Sequence, residues 1–389
     1  MRMRKATSAL VGLLLAGVAA TPAHAETIRS MQWHLDSMQA EQMWKTSTGK
    51  GVTVAVIDSG VASVPELEGQ VLPGKDLADG YQGDERTDYD SHGTKMAALI
   101  AGTGKGPGGG DGAFGLAPGA KILPIRVPNE GNRDGMPSWV AAIRYAADSE
   151  AKILNISLGQ TEKEPQLQAA VKYAIDKGKL VFASVGNSGS GQNLLEYPAG
   201  TPGVIGVAAI DQQANATTES QHGPQVDLAA PGVDIVTACT GKTGLCKAHG
   251  TSDATALASA SAALIWSAHP DWTNNQVLRV LLNTAGKPRD GVGRNDYIGY
   301  GVVRPRIALT NPGDPGSATE WPLPDLAAAA PAGGSSPSAG GGTPSQGAPA
   351  PAAAKEGDGL PWTWIGLGLA ACVLIGGAVT AVVVRRQNR

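Results

Sequence analysis

Along the chain, short apolar runs rich in β-branched residues alternate with longer stretches in which apolar positions recur every three or four residues. The runs over 51–57 (GVTVAVI), 121–127 (KILPIRV), 152–158 (KILNISL) and 179–185 (KLVFASV) have the length and unbroken apolar character of strands buried on both faces. Helical periodicity predicts helices over 91–101, 138–147, 165–177, 251–268 and 273–284. Strands alternating with helices of this length imply right-handed βαβ units, and hence an α/β fold. It has three layers, a mainly parallel central sheet with helices on both faces. In such a sheet, functional residues collect just beyond the carboxyl ends of the strands.

The pattern changes at both ends. A basic start is followed by an apolar run over 9–20 and an Ala23-His24-Ala25 site, which describe a secretory signal peptide over 1–25. That run is too short to span a bilayer. By contrast, 362–384 carries no charge and is long enough to cross the hydrocarbon core. Trp362 and Trp364 stand at one edge, and Arg385, Arg386 and Arg389 at the other. This predicts one transmembrane helix over 360–384, with 385–389 as a cytoplasmic tail and the bulk of the chain extracytoplasmic. Ala, Pro, Gly and Ser dominate 311–359, which reads as an extended, mobile linker because it has too little apolar surface to offset its ordering entropy.

Composition narrows the classes further. The formal charge of −3 lacks the basic footprint of a nucleic-acid binder. The 53 glycines and 26 prolines follow no triplet period, which excludes collagen, and they also exclude a coiled coil. A hydrophobic content of 42% is ample for a core. Of three cysteines, Cys372 lies in the predicted span and reads as a small hydrophobe. Cys239 and Cys246 flank a short polar stretch, and export predicts a local disulfide there rather than two free thiols.

Four residues at element ends carry candidate chemistry. Asp58 ends the first strand in VAVIDSGV, His92 opens a helix in DSHGT, Asn187 follows a strand in VGNSG, and Ser252 opens a helix in HGTSDATA. Taken alone, Asp58 is equally good turn chemistry. Together, an acid, an imidazole and a hydroxyl allow a Ser–His–Asp constellation. Serine needs a base to take its proton, and histidine titrates near neutrality. Asp58 would fix the tautomer of His92 and stabilise the imidazolium. The Asn187 amide and the Ser252 backbone N–H would stabilise an oxyanion.

At these residues the sequence resembles the subtilisin-like serine proteases, the subtilases. VAVIDSGV, DSHGTKMAALIAG and HGTSDATA occur in the family order, and the asparagine block matches at Asn187. The resemblance implies a subtilisin-like catalytic domain over 49–310, preceded by an extension over 26–48 that wraps the domain. It further implies that Ser157, Leu158 and Gly159 line the cleft and pair with a peptide backbone as an added strand. Ser184, Val185 and Gly186 would form one wall of the pocket for the residue before the scissile bond. No cofactor or metal is implied.

Signal, protease domain, Pro-rich linker and C-terminal span together look like the mycosins, which are membrane-anchored subtilases associated with type VII secretion systems. The implied activity is serine endopeptidase cleavage of peptides or proteins at the cell membrane, alongside components of a type VII secretion complex. The alternative is a weakly active or inactive subtilase serving as a structural component of that complex. Two departures bear on this choice. Ala256 stands where the family usually has proline, which loosens the presentation of Ser252, and Asp253 stands beside the nucleophile, where it would raise the pKa of His92. Only 32 residues separate Ala25 from Asp58, too few for a large folding-assisting prodomain, so 26–310 should fold without one.

Other features read as bland. The glycine-rich stretch 104–115 follows a helix and lacks a Gly-Lys-Ser/Thr, so it reads as a mobile surface loop rather than a phosphate site. That, with export, argues against a nucleotide-dependent enzyme. His249 reads as a local hydrogen-bonding residue. Asp84, Glu85, Asp88 and Asp90 read as a solvated loop without diagnostic calcium spacing.

Overall fold

The computed structural model describes residues 27–128 and 136–328. Three short helices, α1 (Ile28–Met31), α2 (Trp33–Met38) and α3 (Ala40–Trp44), precede strand β1 (Thr53–Asp58). Next come β2 (Lys75–Asp76), α4 (His92–Ala101), the pair β3 (Thr103–Lys105) and β4 (Asp111–Phe114), and β5 (Lys121–Arg126). The chain continues through α5 (Met136–Asp148), β6 (Ile153–Ile156), α6 (Pro165–Asp176), β7 (Leu180–Ser184), β8 (Ile205–Ile210) and β9 (Leu228–Pro231). A hairpin, β10 (Ile235–Ala238) and β11 (Leu245–Ala248), leads into α7 (Thr251–Ala268). Then follow α8 (Asn274–Thr284), α9 (Pro305–Thr310) and α10 (Pro324–Ala328).

Seven strands form one sheet in the order β2-β5-β1-β6-β7-β8-β9, with every neighbouring pair parallel. Side chains of a strand alternate between faces. Val54 and Val56 of β1 accordingly join the apolar layer of α4, α7 and α8, whereas Ala55 and Ile57 join that of α5 and α6. This is the three-layer, mainly parallel α/β fold that the sequence predicts. The chain runs from β1 outward to β5, then crosses back to β6 on the other side of β1. Strand order therefore reverses at the carboxyl end of β1, where α/β sheets open a crevice.

Helix α7 is buried almost all round, because its Ala- and Ser-rich sequence lets neighbours approach closely. Two of its hydroxyls are satisfied internally: Thr255 Oγ1 donates to Thr251 O at 2.7 Å, and Ser261 Oγ to Leu257 O at 2.7 Å. Ser259 Oγ instead donates to Asn155 Oδ1 at 3.0 Å, tying α7 to β6. The N-terminal helices wrap the domain as an extension. Gln32 is fully buried, donating through Nε2 to Phe114 O at 2.8 Å and accepting the Phe114 N–H at 3.0 Å. Ser47 Oγ donates to Leu264 O at 2.7 Å. Cys239 and Cys246 form the disulfide across the β10–β11 turn, with Cα atoms 5.8 Å apart.

Several elements differ from the sequence reading. Strands β2, β8 and β9 extend the sheet beyond the four predicted; β8 is an apolar run, and β2 and β9 are too short to carry a period. The glycine-rich stretch contains the β3–β4 hairpin rather than a loop, and Ile28 N–H donates to Asp111 Oδ2 at its edge. Residues 311–328, read as the start of the mobile linker, dock on the domain. The carbonyls of Gly316, Ala318 and Glu320 accept from Gln276, Asn275 and Arg279 of α8, and Leu323 is buried. Backbone carbonyls, which any composition supplies, make this attachment. Among the described residues no helix is long and apolar enough to cross a membrane. The leader at 1–25, the rest of the linker, Cys372, the span at 360–384 and the tail at 385–389 lie outside the described residues.

The docked segment carries the packed domain beyond 310. In a Ser252→Ala background, a fragment 26–328 should exceed 26–310 in unfolding free energy by about 2–3 kcal/mol, roughly the burial of one leucine. Urea unfolding followed by circular dichroism checks this, and equal midpoints would contradict it.

Candidate active site

Asp58 sits at the carboxyl end of β1 and is only 1% exposed. A carboxylate this buried needs donors. Its Oδ1 accepts the Ser59 N–H at 2.8 Å and lies 2.8 Å from His92 Nδ1. Gly93 makes the approach feasible: a methyl group there would overlap the Gly60 carbonyl oxygen, so only glycine lets the first turn of α4 abut the end of β1. Ser59 Oγ bridges the two elements, accepting the Gly93 N–H at 2.9 Å and lying 2.8 Å from Asp88 Oδ1.

Asp88 organises the start of α4. Its Oδ1 accepts the Ser91 N–H at 2.8 Å, and its Oδ2 accepts the Thr94 N–H at 2.8 Å and the Thr94 hydroxyl at 2.5 Å. It therefore caps the helix that carries His92 from outside its first turn. Within the acidic loop, Asp84 likewise accepts from Arg86 N–H and Thr87 Oγ1. Sequence reading grouped Asp88 with solvated charges, and only its spacing ahead of the helix hinted at a cap. The β10–β11 hairpin braces the same point, since Thr240 N–H donates to Ser91 Oγ at 2.9 Å.

The His92 side chain is 23% exposed. Burial pushes its pKa down, but the Asp58 carboxylate, through charge and hydrogen bond, outweighs this; Asp90 also pulls it up against Lys95, leaving it at about 9. Asp253 is 1% exposed with Oδ1 unpartnered, and burial lifts its own pKa to about 6 against the pull of His92, Lys95 and His249.

Ser252 is the second residue of α7, where first-turn N–H groups have no acceptor within the helix. Its hydroxyl donates to Ser157 O at 3.4 Å rather than to His92, while Ser157 Oγ donates back to Ser252 O at 3.2 Å. The segment after β6 is thereby tied to the nucleophile candidate. Asn187, past the end of β7, is pinned through Oδ1, which accepts the Thr251 N–H at 2.9 Å and the Thr251 hydroxyl at 3.0 Å. Its Nδ2 donates to no protein group among the described residues. Thr251, overlooked in the sequence, thus orients the amide. Ala256 is fully buried within an unbroken α7, so replacing proline leaves the helix continuous. His249 is 69% exposed and faces Glu219 at 3.6 Å, away from Asp58. The structure brings Asp58 to His92, and Asn187 and Ser157 to the start of α7; it forms no Ser252–His92 hydrogen bond.

The family model described as "Subtilase family" matches residues 49–301. Mycosin-1 of Mycolicibacterium smegmatis is 31% identical over 349 residues, covering 75% of this chain and 73% of that protein. Subtilisin Savinase of Lederbergia lenta is 31% identical over 281 residues, covering 72% of this chain and 99% of its own. Among solved structures, MycP1 from Mycobacterium smegmatis aligns with TM-score 0.65 at 29% identity, over 77% of this chain and 89% of that one. The MycP3 protease from the type VII (ESX-3) secretion system aligns with TM-score 0.63 at 31% identity, over 75% and 90%.

Asp253 yields a pH-dependent prediction. Its folded pKa lies above the ordinary 3.8, so folding takes up a proton between pH 3.8 and about 6. The charge costs nothing below that window and its full amount above it. In a Ser252→Ala background, Asp253→Asn should stabilise by ~2–3 kcal/mol at pH 8 and be neutral near pH 3.5. Equal gains at both pH values in denaturant titrations would contradict this.

Proposed function

The chain belongs to the subtilase family as a mycosin-type serine endopeptidase, and from that premise we propose that Asp58, His92 and Ser252 form its catalytic triad, with Asn187 as oxyanion donor. The observation that carries this is the 2.8 Å contact between His92 Nδ1 and the buried Asp58 carboxylate, on an imidazole whose other nitrogen has no hydrogen-bond partner among the described residues. Asp58 holds the proton on Nδ1 and leaves Nε2 as the base. Rotation about χ1 takes the Ser252 hydroxyl off Ser157 O and toward Nε2. His92 removes its proton as Oγ attacks the peptide carbonyl, and Asp58 stabilises the resulting imidazolium. The oxyanion is met by Asn187 Nδ2, aimed by the Thr251 bonds to its Oδ1, and by the Ser252 N–H at the positive end of α7. His92 then protonates the leaving amine. Water, activated by the same imidazole, releases the acyl group.

Ser157, Leu158 and Gly159 are proposed to pair with the substrate backbone, and Ser184, Val185 and Gly186 to wall the pocket for the residue before the scissile bond. We further propose that a leader over 1–25 exports the chain and that the 360–384 segment tethers the protease, extracytoplasmic side out, through the linker beyond 328. Association with a type VII secretion complex is supported by likeness to MycP1 and MycP3. A weakly active structural component is the second reading; the observation favouring it is the Ser252 hydroxyl resting on Ser157 O.

A fluorophosphonate probe separates the two. Labelling of wild type but not of Ser252→Ala is expected, and folded wild type that resists labelling would select the structural role. Asn187→Leu should lower kcat about 10²–10³-fold with little change in KM. Because neutral imidazole is the base, kcat/KM should rise with pH along a limb displaced from 6.5 toward 9; a midpoint at or below 6.5 would contradict the Asp58–His92 assignment.

A further inference from the structure

A charged residue that no part of the mechanism uses lies between the segments that follow β6 and β7. Residues 159–160 and 196–197 are held side by side by two backbone bonds, Gln160 N–H to Tyr197 O at 3.0 Å and Tyr197 N–H to Gln160 O at 2.7 Å. This clamp places the Glu196 carboxyl between the two segments. A methyl group on Gly159 would overlap Glu196 Oε2, and one on Gly186 would lie 2.7 Å from Glu196 Oε1. Each oxygen therefore faces a different wall, and the carboxyl closes the gap between them. Glycine at both positions makes room for it.

The environment of Glu196 is one-sided. Gln221, fully buried, donates Nε2 to Glu196 Oε1 at 2.6 Å and to Ser188 Oγ at 2.8 Å, which fixes the carboxyl in place. Among the described residues Glu196 forms no ion pair, and Oε2 accepts no hydrogen bond. The side chain is half-buried, and that burial pushes its pKa up against the single hydrogen bond from a neutral amide. A carboxylate partly stripped of water and given no protein cation gains most from a cation brought by a ligand. An apolar side chain in the same gap would bury Oε2 further and leave it unpaired.

We infer that Glu196 is a specificity residue that selects arginine or lysine immediately before the scissile bond, its Oε2 receiving the guanidinium or ammonium. This rests on the proposed reading that 157–159 and 184–186 frame that pocket. It adds a substrate class: polypeptides cut after a basic residue.

The test uses the full chain in detergent, with peptide substrates that differ only in the residue before the scissile bond. For wild type, kcat/KM with arginine or lysine should exceed that with leucine or phenylalanine by about 10–100-fold, the weight of one hydrogen bond to a charged group, and glutamate should be the poorest. Glu196→Gln should collapse the arginine-to-leucine ratio toward one, with fluorophosphonate labelling of Ser252 reporting that the variant is folded. A second arm needs no turnover. The cationic probe p-aminobenzamidine should bind Ser252→Ala saturably and lose that binding when Glu196→Gln is added. Equal cleavage after leucine and arginine by a labelled wild type overturns the inference and leaves the catalytic reading standing. Glu196-dependent binding of the probe to a chain that resists labelling does the reverse. Absence of probe binding to Ser252→Ala also overturns it.

Discussion

A carboxylate buried at the end of a central strand cannot stand alone, and the arrangement around Asp58 follows from that constraint. The sheet delivers Asp58 to the point where strand order reverses, almost out of contact with water. The energetic cost of desolvating it is offset by the Ser59 N–H and by His92, so α4 must begin against β1. Gly93 removes the steric obstacle, Ser59 Oγ links the two elements, and Asp88 caps the helix that results. Imidazole position and imidazole pKa thus share one cause.

The opposite side of the cleft is governed by close packing rather than by charge. Helix α7 passes through the core because it is built of small residues, and its buried first turn holds Ser252 at a fixed height. Asn155 links β6 to this helix through Ser259, and Ser157 links the cleft strand to the Ser252 carbonyl. Thr251 couples Asn187 to the same turn. More distant pieces converge on these supports. Ser47 of the N-terminal extension reaches the Leu264 carbonyl of α7, and the disulfide-closed hairpin reaches Ser91 beside His92. The extension and the hairpin therefore act on the site through the helices that carry it.

Three carboxyls lie near the candidate triad, and their surroundings differ. Asp58 is matched to an imidazole. Asp253 is enclosed, and its burial raises its pKa to about 6. Glu196 is held by a neutral amide, with its second oxygen against Gly159. Identical functional groups thus acquire different environments through desolvation and donors.

Much of this was legible in the sequence. The four predicted strands, five predicted helices and the blocks around Asp58, His92, Asn187 and Ser252 are local patterns, encoded within a few residues by apolar periodicity, turn chemistry and motif order. For that reason the α/β layering and the candidate triad could be read before any coordinates. What the tertiary structure alone decided depends on contacts between distant segments. Residues 311–328 dock through backbone carbonyls that composition does not mark, and Asp88 reaches Ser59 beside Asp58 only because β1 and α4 meet. The Ser252 hydroxyl rests on Ser157 because β6 ends beside α7. Glu196 sits in a sequence stretch with no periodic or motif signal, and the pairing of Gln160 with Tyr197 is what carries it between two glycines. Local sequence determined which elements form and which residues stand at their ends; desolvation and register across the assembled sheet determined what those residues face.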